Sequence, residues 1–415
     1  MKLSEIPKFG NLENVHVLIH GNTVAAPFAG ELMAENGARV ICLENSKVPD
    51  MGRMGSDPFG FITEHRNEIA LSLNLGTPEG NEVFLRLAKQ LNIIIEGQKG
   101  GTYEKLGLSD EALWEVNPKL VIVHMSGFGQ SGVPEYVNRP SYDPIGQAFG
   151  GYTYLNGEAG GGPIKANPYT ADYMSALFAC WSGLAAYIGA QATGKGESVD
   201  VTQFESMWKV QYNYPMHYFQ FHELKQRSGN DEPLYIGLGR YPCKTGDCIF
   251  TVSGKGPVSR LTKVLGVEDD PDFKDMMIMM RQDPKAQRLD ALLRQYCLQH
   301  DAEEVDKIMM ENAIPCSQIH NVATMENNPH AIARELFVEW EDEQFGWCKA
   351  VNIVPKMKNR PGKYWRGAPG HNQDGKDILT ELGYSEEEIA KLYADGVTGE
   401  LPNRGFLRCK KIDRK

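Results

Sequence analysis

Val15-His16-Val17-Leu18-Ile19-His20 opens the part of the chain that decides the fold. It is a short, mostly apolar run, and the loop Gly21-Asn22-Thr23-Val24 leads from it into a helical pattern over 25–36 that Gly37 stops. A second apolar run, 38–43, ends at Glu44. Strand, helix, strand in that order is a β-α-β unit. An acidic residue after the second strand is what a dinucleotide-binding unit sets against a ribose. The first turn, however, lacks the glycine fingerprint that brings backbone up to a pyrophosphate, so that reading is rejected.

Residues 69–75 form another strand pattern. Thr77-Pro78-Glu79-Gly80 then opens a helix that ends near Gln90, with Thr77 as cap and Pro78 at the first helical position. Residues 92–96 read as a strand, 109–116 as a helix and 120–125 as an apolar strand of the kind a parallel sheet covers on both faces. The alternation predicts an α/β protein built on a Rossmann-like, doubly wound parallel sheet. Gly127-Phe128-Gly129-Gln130-Ser131-Gly132 formally matches G-x-G-x-x-G. Val133-Pro134-Glu135 interrupts the helix that would have to open behind it, so it is not read as a phosphate loop.

Further along, Asn167-Pro168-Tyr169-Thr170-Ala171-Asp172-Tyr173 is a polar turn before a long uncharged helix over 173–192, rich in small side chains and expected to be buried. A strand follows at 198–201. Residues 204–221 carry the aromatic groups Trp208, Tyr212, Tyr214, Tyr218 and Phe219. The composition turns polar near Arg227, and a smaller α+β domain is expected beyond it. Its pieces are a hairpin over 241–251 turned at Thr245-Gly246-Asp247, helices over 259–265, 284–300 and 301–312, and a strand over 314–320. The expected division is a large Rossmann-like domain over 1–200, completed by 390–415, a linker at 201–227, the small domain at 228–327 and a return linker at 328–389. Helices over 374–382 and 385–395 close the chain.

A chain of 415 residues with 41% hydrophobic and 23% charged residues has the composition of an ordinary globular protein of two domains. The net charge of −11, with basic residues at the end only as Lys410-Lys411 and Arg414-Lys415, argues against nucleic acid as a partner. The eight cysteines are scattered without C-x-x-C pairs or histidines at zinc-site spacing, so no metal site is expected and a cytoplasmic location is. No membrane span is expected either, because the longest apolar stretch, 174–192, is broken by Ser and Gly.

The chemistry-bearing candidates are few. Asp172, at the mouth of the uncharged helix, reads either as an N-cap or as a carboxylate nucleophile. The loops at 21–24, 97–101 and 126–132 all follow strands and should gather on one edge of the sheet, where such folds bind ligands. Lys99 lies on the second of them, as a solvated loop lysine or a phosphate contact. His124, in an apolar strand, is read as structural. The aromatic run at 208–221 reads first as packing and second as an acyl pocket or a cation–π wall.

Several stretches carry a resemblance: Pro7-Lys8-Phe9-Gly10, Ala26-Pro27-Phe28-Ala29-Gly30, Asn117-Pro118-Lys119-Leu120-Val121-Ile122, Tyr169-Thr170-Ala171-Asp172-Tyr173, Thr193-Gly194-Lys195-Gly196-Glu197-Ser198 and Trp365-Arg366-Gly367-Ala368-Pro369. In order and spacing the chain resembles the family III CoA-transferases over essentially its whole length. Cys348-Lys349-Ala350-Val351-Asn352-Ile353-Val354-Pro355-Lys356 leans towards members that move CoA between γ-butyrobetainyl-CoA or crotonobetainyl-CoA and L-carnitine. Gly100-Gly101-Thr102-Tyr103 and Ser109-Asp110-Glu111 lean towards members that use bile acids, a near second. The resemblance implies that Asp172 is the nucleophile, passing through a mixed anhydride and an aspartyl-CoA thioester. It implies acyl-CoA and a small carboxylic acid as substrates, no tightly bound cofactor, and an interlocked-ring homodimer. It places a CoA contact on Lys99, with Lys105 beside the position of its companion arginine, which here is Leu106. It places a lid loop at Gly237 and Gly239, where the family's glycine run is thinned to two. The alternative of another class is a non-catalytic CoA-binding scaffold, since a fold does not fix a function.

Overall fold

The computed structural model describes residues 3–55 and 58–407; Cys409, Lys410, Lys411, Arg414 and Lys415 lie outside the described residues. The opening unit forms as expected: β1 (His16–His20), α1 (Ala25–Glu35) and β2 (Arg39–Glu44), with the two strands parallel and Leu18 opposite Ile41. The chain continues through β3 (Ile69–Ser72), α2 (Pro78–Ala88), β4 (Ile93–Glu96), α3 (Asp110–Val116), β5 (Val121–Ser126), α4 (Asp143–Phe149), α5 (Thr170–Thr193), β6 (Ser198–Thr202) and α6 (Gln203–Lys209). The six strands pair in parallel in the order β3-β2-β1-β4-β5-β6. The winding reverses between β1 and β4, which opens a crevice at their carboxyl ends.

Both faces of the sheet are buried, which is why its strands read as apolar runs. Leu18, Ile41, Ile94 and Ile122 meet Phe84 and Leu87 of α2 and Leu113 of α3 on one side. Val17, Ile19, Ile95 and Val123 meet Met33 of α1 and Ala176 and Ala179 of α5 on the other. The small side chains of α5 are what let it lie close to the sheet. Of these, Ala171, Ser175, Ala176, Ala179 and Gly183 are buried, while Leu177, Trp181 and Ile188 on the other side of the helix are 46%, 68% and 69% exposed. The expectation that this helix is buried therefore holds within the chain for one side of it only. By length and composition α5 would also be able to span a membrane. Tyr212, Met216 and Phe219 of the aromatic run are exposed as well, whereas Phe204 meets the ring of Phe149 edge-on.

The chain forms two compact units. The first runs up to Thr153, resumes over Lys165–Phe219 and takes everything from Glu335 on; the second is Tyr154–Ile164 with Gln220–Arg334. The second is α+β: an antiparallel sheet of β7 (Leu238–Pro242), β8 (Asp247–Thr251) and β9 (Cys316–Gln318), with helices Lys255–Val264, Pro284–Gln299 and Ala302–Glu311. Phe250, Leu261, Leu289 and Val305 are in its core. These divisions fall at other residues than the expected ones. Residues 203–209 form α6 of the first unit, and the expected return linker is, from Glu335 on, a packed part of that unit. Asp374 Oδ2 accepts the Ala70 amide at 2.8 Å and Asn372 Oδ1 the Ser72 amide at 2.8 Å. The returning segment thereby satisfies the N–H groups of the edge strand β3. Its antiparallel pair β10 (Phe337–Asp342) and β11 (Gly346–Val351) packs Trp340 and Phe345 into a cluster with Phe61.

One polar group pins the carboxyl ends of β4 and β5. His124 Nδ1 lies 2.6 Å from Glu96 Oε1, and its Nε2 lies 3.0 Å from Asp110 Oδ1. Glu96 Oε2 in turn accepts the Gln98 amide at 2.7 Å and so holds the loop after β4. Burial works against a charged ring here, but Asp110 and Glu96 outweigh it and push His124 up to about 10. A group raised in the folded state adds stability that is full below its ordinary 6.5 and is lost as the pH climbs through about 10. Urea unfolding across that window should show the wild type losing its advantage over His124→Gln as the pH rises. An advantage that stays constant would speak against the paired, charged ring.

Candidate active site

The strand-end loops do gather. Asn22 and Thr23 after β1, Gly97 after β4 and Ser126 at the end of β5 line a cavity of about 200 Å³ that Asp172 and Gln203 also face. This is the crevice that the reversal of strand order creates.

Asp172 reaches the cavity from the first turn of α5. The helix begins at Thr170, three residues earlier than the sequence pattern suggested, so Asp172 is its third residue rather than its cap. The capping is done from elsewhere. Asp143, the first residue of α4, accepts the amides of Ala171 at 2.8 Å and Asp172 at 3.4 Å on one oxygen, Oδ1. Asp143 is itself held by Gln147, whose Nε2 donates to Asp143 Oδ2 at 2.8 Å. The Gln147 amide also donates to the Ala166 carbonyl at 2.9 Å and accepts the Ala166 amide at 2.8 Å, which ties down the turn leading into α5.

With the helix mouth satisfied by Asp143, the Asp172 carboxylate is free for other work. It is 7% exposed, and its Oδ1 accepts a hydrogen bond from Gln203 Nε2 at 2.5 Å. Gln203 is the first residue of α6, directly after β6, and its Oε1 accepts from Ser141 Oγ at 2.7 Å. Gly146 of α4 makes room for it: a Cβ there would lie 2.7 Å from Gln203 Cβ. Burial raises the Asp172 carboxyl first, and the charge of Asp143 raises it further. The Gln203 hydrogen bond opposes both, and the group stands at about 7. The amides at this helix N-terminus do not hold the Asp172 carboxylate ionised, because Asp143 has taken those of Ala171 and Asp172. Near neutral pH the group is close to half ionised, and its ionised form is more basic than an ordinary aspartate, which favours nucleophilic attack.

The other expected site residues divide. Lys99 is exposed two residues beyond the cavity-lining Gly97. Lys105 is exposed at the end of the helical turn Thr102–Lys105, which Tyr103 anchors through its hydroxyl to His20 Nδ1 at 2.9 Å. Neither lysine lines the cavity. Gly237 and Gly239 are buried in the second unit, and neither sits on an open loop. Gly239 pairs with Phe250 across β7 and β8, and the Gly237 carbonyl accepts the Val252 amide at 2.8 Å. Glycine is needed at 237 for packing at a φ of +79°, since a Cβ there would meet Met279 Sδ at 2.7 Å. A lid formed by these two residues is thus corrected to a strand and its lead-in. Sequence reading also missed a buried group, Cys42, His65 and Glu68, whose donor atoms lie within 4.8 Å of one another. Glu68 Oε2 answers His65 Nδ1 at 2.7 Å, so those two partner each other without an ion.

Residues 12–375 match the family described as CoA-transferase family III. The chain belongs to that family. The bile acid CoA-transferase BaiK of Clostridium scindens (strain JCM 10418 / VPI 12708) is 42% identical over 408 residues, covering 96% of this chain and 92% of that one. A CAIB/BAIF family protein from Brucella suis has a similar crystal structure, with a TM-score of 0.79 and 25% identity over 90% of this chain and all of the other. Rv3272 from M. tuberculosis shares the fold, with a TM-score of 0.77 and 20% identity over 90% of this chain and all of the other. This family III CoA-transferase therefore acts on CoA thioesters. Asp143, Gln203 and Ser141, which surround Asp172 in this candidate site, were not singled out from the sequence.

The pH dependence of CoA transfer should report on this pair of carboxyl groups. In Asp143→Asn an oxygen remains for the α5 amides but the like charge is gone, so Asp172 should titrate lower. The acid limb of kcat/KM should then move to lower pH than in the wild type. A limb that stays in place would mean that Asp172 does not feel the charge of Asp143.

Proposed function

We propose that this CoA-transferase moves CoA from an acyl-CoA thioester to a carboxylic acid through a covalent intermediate on Asp172. The observation that carries the reading is the placement of that residue. A buried carboxylate with one hydrogen-bonded oxygen, raised to about 7, opens on the cavity at the carboxyl ends of the sheet. Asp172 attacks the thioester carbonyl and forms a mixed anhydride as the CoA thiolate leaves. The thiolate then attacks the aspartyl carbonyl, and the donor acid departs as its carboxylate. The acceptor carboxylate attacks the aspartyl-CoA thioester, and CoA returns to the new acyl group. Every step exchanges one activated acyl bond for another. Lys99 and Lys105, exposed on the segment after β4, are proposed as contacts for the CoA phosphates.

For the acid itself, the likeness to a bile-acid enzyme at 42% identity over nearly the whole chain supports a steroid carboxylic acid. Among the residues lining the cavity around Asp172, the one charged side chain is Asp172 and the one aromatic ring is that of Tyr142. An L-carnitine or betainyl-CoA pair is the second reading, favoured by the stretch from Cys348 to Lys356. An interlocked homodimer is also proposed, with the exposed Leu177, Trp181 and Ile188 face of α5 in its support. A cytoplasmic location has the support of seven free cysteines among the described residues.

Incubation with acyl-CoA followed by hydroxylamine should leave a hydroxamate that peptide mass spectrometry places on Asp172. In an acceptor panel cholate should accept CoA and L-carnitine should not. A protein that turns over without ever labelling Asp172 would refute the covalent route, and one that takes carnitine while ignoring cholate would reverse the order of acids.

A further inference from the structure

The environment of Asp172 assigns a role to a second side chain. We propose that the amide of Gln203 is a catalytic hydrogen-bond donor to Asp172 Oδ1, taking the negative charge that builds on that oxygen each time the aspartyl carbonyl is attacked. The inference rests on Asp172 being the nucleophile, and it names the group that makes the middle of the reaction fast.

The two oxygens of Asp172 are not equivalent. Oδ1 carries the Gln203 hydrogen bond, which leaves Oδ2 as the oxygen that attacks the donor thioester. In the resulting anhydride Oδ2 is the bridging atom and Oδ1 the carbonyl oxygen of the aspartyl half. When the CoA thiolate adds to Cγ, the carbonyl π pair moves onto Oδ1. Collapse of the tetrahedral species re-forms that carbonyl and breaks the Cγ–Oδ2 bond, and the donor acid leaves as a carboxylate carrying Oδ2. When the acceptor carboxylate adds to the thioester, the same pair again moves onto Oδ1, and the Cγ–S bond breaks to release thiolate. In both additions Oδ1 passes from a nearly neutral carbonyl oxygen to an oxyanion. A donor fixed 2.5 Å from it in the resting enzyme binds that charge more strongly than the ground states on either side.

The donor is held in place beforehand, which is what such a role requires. Ser141 Oγ donates to Gln203 Oε1 at 2.7 Å and turns the NH₂ end of the amide towards Asp172. Gln203 is the first residue after Thr202, whose main chain is set by the pairing of Thr202 with Ser126 across β6 and β5. Thr202 also caps α6, accepting the Glu205 amide at 3.0 Å, so the backbone that carries the glutamine is ordered on both sides. The side chain faces the same cavity as Asp172.

Gln203→Met keeps the length and removes the donor. Its single-turnover rate of aspartyl-CoA formation should fall about 10²–10³-fold, the usual loss for one oxyanion donor, with little change in KM for acyl-CoA. Because the same hydrogen bond holds the Asp172 carboxyl down against burial and Asp143, the acid limb of kcat/KM should move to higher pH. A side chain that only supported the fold would leave that limb where it is. Ser141→Ala, which frees the amide to turn, should move both readouts in the same direction by less, and it carries the test if Gln203→Met does not fold. Wild-type rates in the folded Gln203→Met variant, or a loss confined to KM, would overturn the inference while leaving Asp172 intact. Absence of hydroxamate on wild-type Asp172 would instead remove the covalent reading on which it stands.

Discussion

The site depends on one hydrogen-bonded contact, the carboxylate of Asp143 on the first amides of α5. A helix N-terminus leaves its leading N–H groups without partners, and here a residue of a different helix supplies the oxygen. Two consequences follow from the same atom. The mouth of α5 is fixed without using Asp172 as a cap, so Asp172 points into the cavity. The helix dipole is also answered by a negative charge that then stands close to Asp172. Burial and that charge together carry the carboxyl to about 7 against the hydrogen bond from Gln203. The balance trades the fraction ionised for basicity, and the value near neutrality is where a catalytic group gains most from both.

The sheet explains why this contact forms where it does. Strand order β3-β2-β1-β4-β5-β6 is the order of dinucleotide-binding folds, yet the chemistry of such folds is missing. Glu44, at the end of β2, is spent on a buried pair with Arg53, whose Nη2 lies 2.7 Å from Glu44 Oε1. What the topology contributes is position: the crevice at the reversal of strand order collects residues after β1, β4, β5 and β6. Asp172 and Gln203 come to it from two different helices that share the same end of the sheet.

The strands and helices of the first unit were legible in the sequence because a parallel sheet covered on both sides prints apolar runs separated by helical patterns, as at 15–44 and 92–125. Asp172 was legible as the one carboxylate at the head of an uncharged helix, although the helix begins at Thr170 and the cap reading fell with that shift. Asp143 was not legible. Tyr142-Asp143-Pro144 looks like any helix start, and its partner amides lie 28 and 29 residues further on. Gln203 did leave a signal, since it directly follows the β6 strand pattern. Extending the strand-end rule from the loops after β1, β4 and β5 to that of β6 would have found it. The thinned glycine run at Gly237 and Gly239 misled because glycines serve close packing in strands as readily as motion in loops.

The ionisation of the Asp172 carboxyl group can be measured on that group itself. Carbon-13 NMR of protein labelled at the aspartate carboxyl carbons, compared with Asp172→Asn to assign the resonance, follows its titration directly. The environment described here predicts a midpoint of about 7 for Asp172. A midpoint near the ordinary aspartate value of 3.8 would contradict it. In that case neither the burial nor the charge of Asp143 would be acting on the residue as its geometry requires.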